Sequence, residues 1–117
     1  MIRTKSAFDP KKPEDGVRIL IEPVWPRGLP KGKATDAVWM KGLYPSHNLR
    51  DWMRRNPRKA SGFRDRYVLE LAHNEAAIEK VRKLHKERGT VTVLTVPVEG
   101  PWDIYDTLAS YLSATCE

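Results

Sequence analysis

The sequence predicts one α/β domain: a small, mostly parallel central sheet of about three strands, covered by helices. Three observations predict it. VRILI (Val17 to Ile21) and TVTVLTV (Thr90 to Val96) are β-branched runs, each followed by a proline that cannot extend a ladder. The long stretch between them carries helical periodicity, and two strands joined through helices pair in parallel by a crossover. At 117 residues, the chain is large enough for one hydrophobic core.

Taken in order, IRTKSAF reads as a short strand whose pairing the sequence leaves open. DPKKPEDG is a polar turn, and Gly16 is free to take backbone angles that other residues avoid. After the VRILI strand, EPVWPRGLPKGK (Glu22 to Lys33) is a loop stiffened by three prolines. ATDAVWMKGL reads as a short helix ending at Gly42. PSHNLRDWMRRN reads as another, capped by Ser46, with Leu49, Trp52 and Met53 on its buried face.

Asn56 and Pro57 have the pattern of a helix start, with Ala60, Phe63, Tyr67 and Leu71 as its apolar stripe. Arg64 falls close to that stripe and is expected to be partly buried, unlike Arg58 or Arg66. Asn74 is placed to cap a further helix with Ile78, Val81 and Leu84 inward, and Gly89 stops it. Gly100 and Pro101 open a last helix, with Ile104, Leu108, Tyr111 and Leu112 on one face.

Composition excludes several classes. No apolar run reaches the ~18 residues of a membrane span, and the N-terminus lacks a signal-peptide core. Cytoplasmic localisation is the expectation. The single cysteine, Cys116, offers neither a disulfide framework nor a thiolate metal site. His47, His73 and His85 fall on separate helices without ligand spacing, so no metal and no cofactor are expected. Phosphate-binding glycine loops, a G-x-S-x-G elbow and RNA-module signatures are all missing.

Two places attract a ligand reading. In parallel α/β sheets, ligands sit beyond the carboxyl ends of the strands. The loops there carry Glu22, Trp25, Arg27, Gly28, Glu99, Trp102 and Asp103, with Arg64 near them. The expectation is a pocket for a small anion such as a nucleotide or sugar phosphate. Arg27 would hold the charge, Trp25 and Trp102 would form walls, and Glu99 and Asp103 are a candidate acid–base pair. The same residues also read as core caps (the tryptophans) and as a structural ion pair (Arg27). Whether any chemistry follows is left open.

The second place is basic. The net charge is +6, and the run from Arg50 to Arg66 holds seven basic residues against Asp51 and Asp65. Arg50, Arg54, Arg55, Arg58 and Lys59 are therefore candidates for nucleic-acid contact, or simply a solvated helix face.

DGVRILIEPVWPRGLPK, PSHNLRDW and FRDRYVLEL, in that order, resemble the motifs of the YeaO-like proteins, domain of unknown function 488. The resemblance spans nearly the whole chain. It implies a small bacterial α/β protein and brings no established activity. It also implies three basic positions that here are Ser6, Pro23 and Val98, and an amide that here is Asp103. The chain thus reads as a divergent member whose strand-end pocket is altered or degenerate. Arg27, Arg50 and Arg64 are kept from the shared motifs.

Overall fold

The sheet is built around β4 (Val91–Thr95), whose neighbours on both sides run parallel to it. β1 (Ile2–Ser6) lies on one side and β2 (Val17–Leu20) on the other. β3 (Ala37–Trp39) extends the sheet past β2, giving the order β1-β4-β2-β3. The computed structural model describes residues 1–32 and 36–116. IRTKSAF is a strand, as expected, and its open pairing is settled: Ile2 aligns with Val91 and Ser6 with Thr95.

The sheet has four strands rather than three, because β3 falls where a helix was expected. Ala37 to Trp39 align in parallel with Arg18 to Leu20, and the Met40 N–H donates to the Leu20 carbonyl at 2.7 Å. A short apolar run fits either period, and here the open edge of β2 decides the outcome. Of its described residues, only Lys41–Leu43 turns helically, as a single 3-10 turn. Ala34 and Thr35, the start of the expected helix, lie outside the described residues.

The helices are α1 (His47–Arg55), α2 (Ala60–His73), α3 (Glu75–Arg88) and α4 (Ile104–Cys116). Ser46 caps α1, its hydroxyl oxygen accepting the Leu49 N–H at 3.1 Å. Asn56 closes α1 instead of opening α2: its side chain donates to the Trp52 carbonyl at 2.8 Å. The chain then turns once, with the Lys59 N–H on the Asn56 carbonyl, and α2 starts at Ala60, which is exposed. Asn74 stands at the N-cap position of α3, but its amide is spent on the Gly42 carbonyl at 2.8 Å and does not cap. Gly89, at φ +81°, ends α3 in the left-handed conformation.

All four helices pack on one face of the sheet. Val17, Ile19, Val91 and Val93 meet Leu49, Phe63, Tyr67, Leu71, Val81, Leu108 and Leu112 in one core. Each fully buried aliphatic side chain there is worth about 1.5–3 kcal/mol. Loops, not helices, cover the other face: Leu20 and Leu94 pack with Ala7, Leu29 and the half-buried Trp25.

The same second face holds a charged cluster under the β1–β2 connection. Arg18, 2% exposed, donates to Asp15 at 3.2 Å, and Lys5 reaches the same carboxylate at 2.9 Å. Thr92 donates to the Asp15 carbonyl at 2.7 Å, tying the connection to β4 as it crosses. Gly16 follows at φ +62°, and a Cβ there would lie 2.2 Å from the Thr90 carbonyl oxygen. No other residue fits this crossing.

Candidate functional site

Because β1, β2, β3 and β4 are all parallel, the loops after them leave from one end of the sheet. The first residue past β2 with a polar side chain is Glu22, which is buried. Its carboxylate accepts the Tyr105 hydroxyl at 2.8 Å, and its carbonyl accepts the Trp39 indole N–H at 2.7 Å. Glu22 therefore bolts β2 to β3 and to the first turn of α4. Burial pushes the Glu22 carboxyl up from its usual value, against the opposing pull of the Tyr105 hydrogen bond. Burial and the Glu22 charge push the Tyr44 and Tyr105 hydroxyls up as well. Tyr67 donates to the Leu43 carbonyl at 2.5 Å beneath them.

The other expected site residues are spread over separate contacts. Trp25 meets the edge of Trp39 at 5.2 Å between ring centres and donates to the Leu29 carbonyl at 2.8 Å. Trp102 packs against Trp52 and Phe63 at 6.5 and 5.5 Å, on the helical core. Both tryptophans thus take the core-capping role. Asp103 accepts Arg64 at 2.5 Å. Arg64 is not partly buried as its helical angle suggests: its side chain is 58% exposed, because it bends out from α2 to reach Asp103. Arg27, Gly28 and Glu99 are exposed, and Arg27 forms no ion pair among the described residues.

Ser6, Pro23 and Val98 come together in a way the linear sequence hides. Ser6 ends β1, Pro23 follows β2 and Val98 follows β4, and these three strands are adjacent. The positions where the family resemblance implies basic residues therefore gather at one end of the sheet.

The basic run divides. Arg54 pairs with Asp51, and Arg64 with Asp103. Arg50 is half-buried and donates to the Pro45 carbonyl at 2.7 Å. Arg66 lies over the Trp52 ring at 4.1 Å. Arg55, Arg58, Lys59 and Arg66 are exposed with no carboxylate partner among the described residues. Arg55, Arg58 and Lys59 lie where α1 ends and α2 begins, and Arg66 lies further along α2, over α1. Among the described residues, no group of His, Cys, Asp and Glu side chains is arranged to hold a metal ion, and no helix is long and apolar enough to cross a membrane.

Tyr105, Tyr44 and Glu70 are the residues that sequence reading missed. A tyrosine one residue after the first apolar position of an expected helix gave a faint signal for Tyr105; nothing local marked its partner, 83 positions away.

Fold and strand-end geometry define a small parallel α/β domain with helices on one face and a bolted, carboxylate-bearing strand end. The chain belongs to the DUF488 family: the family model described as the inactive DUF488-N3 subclade matches residues 1–115. Uncharacterised proteins of Mycobacterium tuberculosis and Mycobacterium bovis are each 35% identical over 94 residues, covering 80% of this chain and 78% of the relative. The uncharacterised protein YeaO of Escherichia coli K12 is 32% identical over 87 residues, covering 74% and 76%. No solved structure matches the chain significantly.

Proposed function

We propose that this protein performs no chemistry at its strand ends and works by binding an anionic polymer, nucleic acid first, through the corner where α1 meets α2. The observation that carries the binding half is the set of four exposed cations, Arg55, Arg58, Lys59 and Arg66, without carboxylate partners among the described residues. Cations held close together on one surface neutralise several phosphates at once and release their counterions. The non-catalytic half is supported by the description of the matching subclade as inactive and by the gathering of Ser6, Pro23 and Val98 at one sheet end. Two of the acids at that end are already spent, Glu22 on Tyr105 and Asp103 on Arg64.

Titration of single-stranded and duplex DNA at low salt tests this reading. The wild type is expected to bind more tightly than millimolar, and the double variant Arg58→Gln, Lys59→Gln to bind at least about tenfold more weakly. Equal affinities for the two proteins refute it.

A small anionic ligand at the strand ends is the second reading. It is favoured by Arg27, exposed on the loop after β2 and without an ion pair. A thermal-shift screen with nucleotides and sugar phosphates, repeated on Arg27→Ala, reads it out. Absence of any stabilisation of the wild type counts against this pocket.

A further inference from the structure

Two of the sequence motifs, PSHNLRDW and FRDRYVLEL, meet across a cleft that neither reading above uses. Pro45, Ser46 and Arg50 come from the first and Glu70 from the second, and Lys41, Tyr44 and His73 complete the walls. Its volume is about 470 Å³, within the range of small-molecule sites. We propose that this cleft binds a small phosphate monoester.

Arg50 is the main argument. Its Nη1 is held by the Pro45 carbonyl at 2.7 Å, and its guanidinium lies 5.7 Å from the centre of the Tyr44 ring. Those two contacts orient the fork, and its Nε and Nη2 have no partner among the described residues. The single carboxylate of the cleft, Glu70, does not neutralise it. One Glu70 oxygen accepts the Ser46 N–H at 3.0 Å, and the other accepts the Ser46 hydroxyl. Arg50 and Glu70 line one cleft and form no ion pair.

Lys41 adds a second cation, resting over the Trp39 ring at 4.2 Å. His73 donates from Nδ1 to the Leu69 carbonyl at 2.8 Å, which leaves Nε2 for a ligand. Asn74 pins the Lys41–Leu43 turn to the α2–α3 junction through Gly42, so the cleft is formed before a ligand arrives. Against the opposing charge of Glu70, two cations with a pre-oriented guanidinium fork attract a dianionic phosphoryl group more strongly than a monocarboxylate.

Calorimetric titration at constant ionic strength, with ribose 5-phosphate, inorganic phosphate and acetate, tests the site. The wild type is expected to bind ribose 5-phosphate saturably and acetate far more weakly. Arg50→Gln is expected to weaken the phosphate about tenfold or more, Arg50→Lys to recover only part of that, and Arg82→Gln, outside the cleft and paired with Glu79, to change nothing. Because Arg50 also braces Pro45, Lys41→Gln on the exposed turn, where the side chain rests over the Trp39 ring, provides a second variant, with a smaller loss expected. Three results overturn the proposal: no saturable phosphate binding, acetate bound as tightly as ribose 5-phosphate, or unchanged binding in both Arg50→Gln and Lys41→Gln. None of them bears on polymer binding at the α1–α2 corner, which the DNA titration reads separately.

Discussion

Two buried acids in this molecule are tuned in opposite directions, and their pH signatures separate them. Burial raises the Asp15 carboxyl, but the Lys5 hydrogen bond, the Lys12 N–H and the charges of Lys5 and Arg18 outweigh it and hold the group below its usual value. Its stabilisation is therefore fully present above the unfolded value of 3.8 and is lost as pH falls through the folded one. Asp15→Ala strands Arg18, whose side chain is 1% exposed, as an unpaired buried charge. The expected loss is about 3–5 kcal/mol, read from urea unfolding at pH 7. Glu22 behaves the other way. Its carboxyl is raised by burial, so the folded state keeps a proton that the unfolded state has released. Stability from this group is full below 4.5 and falls as pH rises through the folded value. Glu22→Gln is expected to flatten that decline between pH 4 and pH 8, as seen in urea midpoints. An unchanged slope would show that Glu22 is not the group responsible.

Among the elements, the β1–β2 connection is the least forgiving. Gly16→Ala is expected to cost about 2 kcal/mol or more, because a Cβ at φ +62° meets the Thr90 backbone. A thermal melt matching the wild type would contradict the crossing described above. This connection also shows what the sequence made legible. The strong β-branched runs, Gly89 and the Ser46 cap were readable, because each acts through neighbours a few residues away; Gly16 was readable as a turn glycine, but its close approach to Thr90 was not. β3 was not, because three residues of strand are decided by the open edge of β2 and not by their own period. The start of α2 was missed for a similar reason: Asn56 has the residue type of a cap, but its side chain finds the Trp52 carbonyl behind it. At the candidate site, the parallel strand ends and their loops were legible. The partners were not: Tyr105 for Glu22 and Asp103 for Arg64 are chosen by helix docking across the fold.

At the scale of the whole molecule, charge is partitioned by folding. Two of the carboxylates near the basic helices, Asp51 and Asp103, are committed to Arg54 and Arg64, and Asp65, on α2 itself, pairs with none of the exposed cations among the described residues. What remains there is a set of cations with no carboxylate partner among the described residues, on a chain whose net charge is +6. This is the physical basis of the binding proposed above for a chain that matches a subclade described as inactive. The most direct test is the salt dependence of single-stranded DNA affinity, measured on the wild type and on Arg58→Gln, Lys59→Gln. Neutralisation of about four phosphates predicts a slope of log affinity against log salt near −3, and loss of two cations brings it to about −1.4. A flat slope, or one identical in the two proteins, would contradict the account.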